Sequence, residues 1–92
     1  MKNKRVEEWN RLRKKLKIEY KNRGITTCEV GLEKCMRDFG LSFAHRHKRV
    51  YYYQRPELLG SFNETILACA YCHQEIEKDR ELTEMVFKKL RD

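Results

Sequence analysis

This chain lacks long apolar segments. No run approaches the roughly 20 apolar residues that a membrane-spanning helix needs. The first residues, MKNKRVEEWN, carry charges where a secretion signal would have its apolar stretch. These two absences favour an intracellular, cytoplasmic protein that does not enter a membrane.

Apolar material is also scarce for a chain that has to build a core. Of the 92 residues, 40% are hydrophobic and 38% are charged, and there is no internal repeat or low-complexity tract. A chain of this length forms one domain and buries a modest fraction of its surface, so we expect a metal or disulfides to supplement the core. We treat residues 1–92 as a single domain, with a basic N-terminal helix over residues 1–24 and a metal-binding core over residues 25–92.

Four cysteines can supply that supplement. Disulfides rarely persist in a reducing compartment, so this set favours metal ligation. Cys69 and Cys72 have the CxxC spacing with which two thiolates hold one tetrahedral zinc ion at about 2.3 Å. Six residues separate Cys28 from Cys35, which requires a wider loop in which Gly31 suits the turn. We therefore predict one structural zinc bound by all four cysteines.

A haem protein is the competing interpretation of the second cysteine pair. Residues 69–73 read CAYCH, the spacing of c-type haem attachment, and Met36 or Met85 could be the second axial ligand. Such attachment requires export, and it leaves Cys28 and Cys35 without a role. The sequence favours zinc.

The N-terminal third predicts an amphipathic helix over about residues 6–22. Its apolar stripe recurs at three- and four-residue spacing and consists of Trp9, Leu12, Leu16 and Tyr20. Gly24 follows where a helix end favours a residue that tolerates a left-handed conformation. We expect the helix to end there.

The rest of the chain predicts an extended segment, a loop and a second helix. Residues 25–50 favour extended structure, in which one strand face would carry Phe43, His45, His47 and Arg49. The only proline, Pro56, lies in a predicted loop over residues 51–60, and a short turn or helix from Ser61 is expected to lead into the CxxC. Residues 73–90 contain no glycine or proline and have helical apolar spacing.

These residues, in this order, resemble the HNH nuclease family, particularly its small zinc-binding members. The resemblance covers about residues 27–78 and depends on the cysteine pairs, on FAHRHKR over residues 43–49, on Asn63 and on ACAYCH over residues 68–73. It implies a ββα-metal fold, in which two short strands and a helix hold one divalent cation and four cysteines bind structural zinc. The expected fold is therefore a small zinc-stabilised α+β domain with an N-terminal basic helix and a C-terminal helix.

The same resemblance implies roles for three residues. His45 would be the general base, Asn63 would orient it, and His73 would bind the catalytic cation, Mg²⁺ or another divalent ion. The chemistry is reasonable on its own terms, because a neutral imidazole can accept a proton from water near pH 7 and a cation can stabilise the leaving oxygen.

Several alternatives stay open at this point. Many HNH nucleases have a metal-binding Asp or His where this chain has Ala44, so His47 could be a ligand instead, or His45 and His47 could exchange roles. Both histidines could simply belong to a basic strand that contacts phosphate. Asn63 could cap the short helix before the CxxC, and His73 could merely begin a surface helix.

The charge distribution indicates a nucleic-acid partner. The formal net charge is +7, and residues 1–23 are strongly basic. The predicted phosphate contacts are Lys14, Lys15, Lys17, Arg46, Lys48 and Arg49. A solvated charged face is the plainer interpretation, and binding to a membrane surface is disfavoured because the apolar stripe of the helix is needed to cover the domain. The tyrosines at positions 51–53 are expected to pack on the core, with stacking on unpaired bases as the alternative.

Together these features predict a metal-dependent DNA endonuclease or nickase. One such site cuts one strand at a time, so cleavage of both strands would need a homodimer or a partner in a DNA-processing complex. The alternative is a catalytically weak or inactive HNH-fold zinc module that binds DNA or regulates a DNA-processing protein. The compact size fits a phage-encoded protein.

Overall fold

The computed structural model describes residues 4–92, which form three α-helices and one two-stranded antiparallel sheet. The elements are α1 (Lys4–Asn22), β1 (Ser42–His45), β2 (Thr65–Ala68), α2 (Ala70–Glu77) and α3 (Arg80–Leu90). Short 3₁₀ helices occupy Arg49–Tyr52, Pro56–Gly60 and Phe62–Glu64. The predicted α+β class is confirmed, and residues 1–3 of the predicted N-terminal segment lie outside the described residues.

Helix α1 forms where its apolar stripe predicts. The buried face consists of the expected residues Leu12, Leu16 and Tyr20, with Trp9 half-buried beside them. The helix ends at Asn22, and Gly24 follows with a φ of 78°. Because glycine adopts that left-handed conformation without a steric penalty, the predicted end of the helix is confirmed.

The sheet separates the helices into two layers. Its register pairs Ser42 with Ala68, Phe43 with Leu67, Ala44 with Ile66 and His45 with Thr65. Alternate side chains point to opposite faces, so Phe43 packs with the buried face of α1 while Ala44 packs with residues of α2 and α3. His45 lies on the α1 side, where its ring meets the indole of Trp9 edge-on at 5.0 Å.

The prediction of extended structure over residues 25–50 is mostly wrong. Within residues 25–50 only β1 is a strand, and the chain bends at Arg46 and His47 before a 3₁₀ helix begins at Arg49. The partner strand begins at Thr65, opposite His45, so no ladder is available to extend β1 further. The shared strand face therefore ends at His45 and does not include His47 or Arg49.

Strand β2 was not predicted from the sequence. The 3₁₀ helix at Phe62–Glu64 matches the expected short turn, but four strand residues separate it from the CxxC. All four, Thr65–Ala68, are buried. A strand covered on both faces shows no apolar–polar alternation, and this removes the pattern by which a strand is recognised.

The predicted C-terminal helix is two helices. Helix α2 ends at Glu77, and α3 begins at Arg80. Asp79 is the N-cap of α3, and its side chain accepts a hydrogen bond from the Leu82 N–H at 3.1 Å. Aspartate is a favoured N-cap because its carboxylate satisfies a backbone donor of the first turn. The break places Arg80 at the start of a new helix.

None of the helices in residues 4–92 is both long and apolar enough to cross a membrane.

A buried arginine near the C-terminus joins α1, the loop that follows it and the segment that enters β2. The Arg91 guanidinium donates to the Glu29 carboxylate at 2.8 Å and to the Tyr20 hydroxyl at 3.1 Å. It also donates to the carbonyls of Phe62 at 3.0 Å and Thr65 at 3.1 Å. Burial alone would lower the pKa of Arg91, but the contacts with Glu29 and Tyr20 outweigh it and raise the pKa. The arginine therefore stays charged inside the fold.

Candidate functional site

The four cysteines come together in one cluster. All four sulfur atoms lie within 4.8 Å of one another, and those of Cys35 and Cys69 are 3.9 Å apart. A tetrahedral ion bound at about 2.3 Å places its sulfur ligands about 3.8 Å apart, so this donor set can hold a metal ion and is compatible with zinc. All four cysteines are free of disulfides.

Local structure prepares this cluster. Cys69 is the N-cap of α2, and its sulfur accepts hydrogen bonds from the N–H groups of Cys72 at 3.4 Å and Met36 at 3.3 Å. Burial raises the pKa of the Cys69 thiol, but these N–H groups outweigh it and lower the pKa to about 6. Burial raises the pKa of Cys72. Gly31 has a left-handed φ of 65°, but the hydrogen-bonded turn before Cys35 comes after it and is closed by the Cys35 N–H on the Leu32 carbonyl at 2.9 Å.

Three histidines from three parts of the chain line one cleft of about 890 Å³. His45 ends β1, His47 lies in the bend after it, and His73 lies in the first half of α2. The folded chain thus brings the sequence-predicted histidines to a single concave surface. Among the described residues, the cysteine cluster is the only group of three or more potential ligands close enough to share an ion, so the histidines do not form a complete metal site.

His45 is held as a neutral imidazole. Its Nε2 lies 3.0 Å from the Leu59 carbonyl oxygen, which can only accept, so Nε2 carries the proton and Nδ1 has the free lone pair. Burial lowers the pKa of His45, an effect that the Leu59 hydrogen bond opposes and the nearby Arg49 charge reinforces. The ring is therefore a proton acceptor at neutral pH.

His47 is engaged on both ring nitrogens. Arg80 donates to its Nδ1 at 3.3 Å, and its Nε2 lies 3.9 Å from a carboxylate oxygen of Glu64. The ring also packs on Tyr51 with the centroids 4.0 Å apart. The guanidinium at Nδ1 competes with any cation there, so His47 is less suited to metal binding than the other two histidines.

His73 has an acidic neighbour on the same helix. Its Nε2 lies 3.2 Å from Glu77, one turn further along α2, and its Nδ1 lies 2.5 Å from the Ser42 hydroxyl. An ionised carboxylate can only accept, so Nε2 donates to Glu77, and in the neutral imidazole Nδ1 then accepts from the Ser42 hydroxyl. Glu77 is largely exposed in the cleft, and together the two side chains offer a nitrogen and an oxygen donor from one helix face.

The basic residues divide between the cleft and the rest of the surface. Of the six predicted phosphate contacts, Lys17, Lys48 and Arg49 line the cleft. Lys14 and Lys15 are exposed on other faces of α1. Arg46 instead forms an ion pair with Asp92 at 2.6 Å. The cationic rim therefore comes from only part of the basic sequence.

Other cleft residues were missed from the sequence. Arg13 lies one turn before Lys17 on the same face of α1, so its spacing was an available signal. Arg80 and Glu77 also line the cleft. Glu77 lies one turn after His73 in a segment predicted to be helical, so its spacing was also an available signal. The position of Arg80 depends on the helix break and could not be read from local sequence.

Asn63 and Ala44, the other two positions that the family resemblance concerns, lie outside the cleft. Asn63 is exposed within the 3₁₀ helix Phe62–Glu64, whose N-cap is Ser61, and the hydrogen bond that orients His45 comes from Leu59. Ala44 is 2% exposed and packs with Ile76 and other apolar side chains. A ligand at position 44 would therefore enter the core between the sheet and α2.

Fold and site together define a small α+β domain with a four-cysteine cluster able to bind a metal ion and a separate, histidine-lined basic cleft. Comparison with protein-family models, with curated proteins and with solved structures gives no match to this chain.

Proposed function

We propose that this protein is a metal-dependent nuclease that cuts or nicks DNA at the histidine-lined cleft. The observation that carries the proposal is that His45 and His73 line one concave surface whose rim is cationic. Hydrolysis of a phosphodiester needs a proton acceptor, a cation and positive charge that holds the phosphate, and this surface offers groups suited to each task.

His45 is the proposed general base. Its Nδ1 carries the free lone pair because Nε2 donates to Leu59, and its lowered pKa keeps the ring neutral at pH 7. In this role Nδ1 takes a proton from the attacking water, and the Leu59 carbonyl stabilises the imidazolium that results. The Leu59 carbonyl thus takes the orienting part that the family resemblance implied for Asn63.

His73 and Glu77 are the proposed protein ligands of the catalytic cation. The Nε2 of His73 and a carboxylate oxygen of Glu77 are 3.2 Å apart and share a proton in this structure. A divalent ion could replace that proton and bind both atoms. Mg²⁺ commonly binds through one or two protein ligands together with water and substrate phosphate. When bound, such an ion stabilises charge on the phosphate and on the leaving oxygen. Glu77 was not predicted as a ligand.

The cysteine cluster is proposed to hold a structural zinc. Its last cysteine, Cys72, directly precedes His73 in the chain and is completely buried within α2. An ion held there would fix the N-terminus of α2, and therefore His73, relative to the loop of Cys28 and Cys35. DNA is the proposed partner, held by Arg13, Lys17, Lys48 and Arg49.

A second candidate is a DNA-binding or regulatory module without turnover. The observation in its favour is Ala44, which is buried in the apolar layer where many HNH nucleases have a further metal ligand. In this case the basic cleft would bind DNA, and the histidines would only shape its surface. A partner in a DNA-processing complex would then supply any chemistry.

Supercoiled plasmid separates these candidates, because nicked and linear products resolve on a gel. Zinc-replete protein is incubated with Mg²⁺ or Mn²⁺ and compared with a reaction without added cation. Omitting the cation is a cleaner control than a chelator, which also removes thiolate-bound zinc. We expect nicking that needs the cation, and a loss of about a hundredfold or more in His45→Ala.

Matched variants test the cation site. Glu77→Gln should raise the Mg²⁺ concentration needed for half-maximal cleavage roughly tenfold, whereas Glu81→Gln, an exposed change of equal charge on α3, should not. Each variant is checked for zinc content and by circular dichroism. DNA that is bound but uncut with every cation would favour the second candidate, and undiminished cleavage by His45→Ala would remove His45 from catalysis.

A further inference from the structure

A second, smaller cavity adjoins the cleft. Its volume is about 290 Å³, and it shares Trp9, His45 and Arg49 with the cleft. It lies between the start of α1 and the 3₁₀ segments that join the strands. Its remaining lining residues are Lys4, Glu8, Tyr52, Tyr53, Pro56 and Leu59. The proposed catalytic chemistry uses none of these six side chains.

The walls of this cavity combine aromatic, apolar and charged side chains. Tyr52 is 1% exposed and belongs to the core, whereas Tyr53 is 50% exposed, and both side chains line the cavity. Trp9 is half-buried, so part of its indole covers Phe43 and part remains available to the cavity. Lys4 and Arg49 add two cationic groups to the wall, and its one carboxylate, that of Glu8, forms an ion pair with Arg11. The cavity thus combines aromatic and apolar surfaces with positive charge.

That combination selects a flat aromatic ligand that carries negative charge. The volume is at the lower end of the range of about 300–1,000 Å³ typical for small-molecule sites, which suits one ring system. A nucleobase joined to its phosphate has both properties, and base–aromatic stacking is largely independent of sequence. A base inside a duplex is stacked on both faces and paired along one edge, so only an unpaired base can enter such a cavity.

We propose that this cavity, formed by Trp9, Tyr53 and Leu59, binds one unpaired nucleobase of the substrate while Arg49 contacts the adjoining phosphate. This inference deepens the proposed nuclease function and rests on it: it names single-stranded or locally unpaired nucleic acid as the substrate class. His45 and Arg49 line both spaces, so a base held here lies beside the phosphodiester presented to the cleft.

The chain contains a single tryptophan, and Trp9 lines both spaces, so its intrinsic fluorescence reports binding at the cavity or in the adjoining cleft, and the variants below distinguish the two. Zinc-replete protein without added divalent cation is titrated with a thymidine oligonucleotide of about five nucleotides. An abasic oligonucleotide of equal length and charge is the control. We expect the thymidine oligonucleotide to quench Trp9 saturably and to bind roughly tenfold more tightly than the abasic one.

Two variants locate the effect. Tyr53→Ala should reduce affinity for the thymidine oligonucleotide to the abasic level. Phe39→Ala removes another exposed aromatic side chain that lines neither space, and this variant should bind like the unmodified protein. If Tyr53→Ala fails the circular dichroism check for folding, Tyr53→Leu removes the aromatic face and keeps most of the apolar volume.

The outcomes separate this inference from the proposed function. Equal affinity for both oligonucleotides, or a Tyr53 variant that still prefers the base, overturns the base site even if the plasmid is cut. A preference for the base that depends on Tyr53, in a protein that cuts no plasmid, supports the base site and removes the nuclease. Failure to bind either oligonucleotide and to cut plasmid overturns both.

Discussion

Replacing Arg91 with methionine should destabilise this protein more than any exposed charge substitution. The Arg91 side chain is 3% exposed, and its partner Glu29 is 10% exposed. Methionine keeps much of the apolar volume but removes every donor. The Glu29 carboxylate would then retain only the Leu67 N–H at 2.7 Å. The carbonyls of Phe62 and Thr65 would also lose a donor.

The size of the effect follows from the burial of the pair. Removing one partner of a buried ion pair typically costs about 3–5 kcal/mol, because the remaining charge stays desolvated. A domain of this length has a total stability of about 5–14 kcal/mol. The loss is therefore a large fraction of the whole and corresponds to a fall in Tm of at least about 12 °C.

Thermal and urea unfolding followed by circular dichroism, at a fixed saturating zinc concentration, measure this loss. Arg11→Met is the matched control, since Arg11 forms an exposed ion pair with Glu8 one helical turn away and should cost less than about 1 kcal/mol. If Arg91→Met costs no more than Arg11→Met, the buried network does not stabilise the fold as proposed.

Three further expectations concern the cluster, the base and the rim. Cys72→Ser should unfold the domain, because structural zinc contributes about 10–16 kcal/mol of apparent binding energy, and a folded, zinc-free variant seen by circular dichroism and metal analysis would contradict a structural ion. Burial lowers the pKa of His45, so the neutral ring contributes fully to the stability of the fold above about pH 6.5. This contribution is lost as the pH falls through the lowered pKa. An NMR titration midpoint above 6.5 would overturn that assignment. Lys17→Gln should reduce the slope of log affinity for duplex DNA against log salt by about 0.9, whereas Lys14→Gln, outside the cleft, should leave it unchanged.

Local patterns in the sequence account for α1 and for the CxxC half of the cysteine cluster. The apolar stripe of α1 depends only on helical periodicity, and Gly24 ends the helix through its own backbone freedom. The CxxC spacing brings Cys69 and Cys72 together within one turn of α2. The HNH resemblance, with the roles it implies for His45 and His73, stays a prediction.

Long-range packing decided what the sequence could not. Strand β2 is too short and too completely buried to show alternation, and its pairing in turn determines where β1 ends. Arg91 and Glu29 are 62 positions apart, so no local pattern pairs them. The sequence by itself determined which residues can form a helix or bind a metal. Only the tertiary structure decided which of them meet, since contacts between distant residues depend on how the layers pack and leave no periodic signal in the chain.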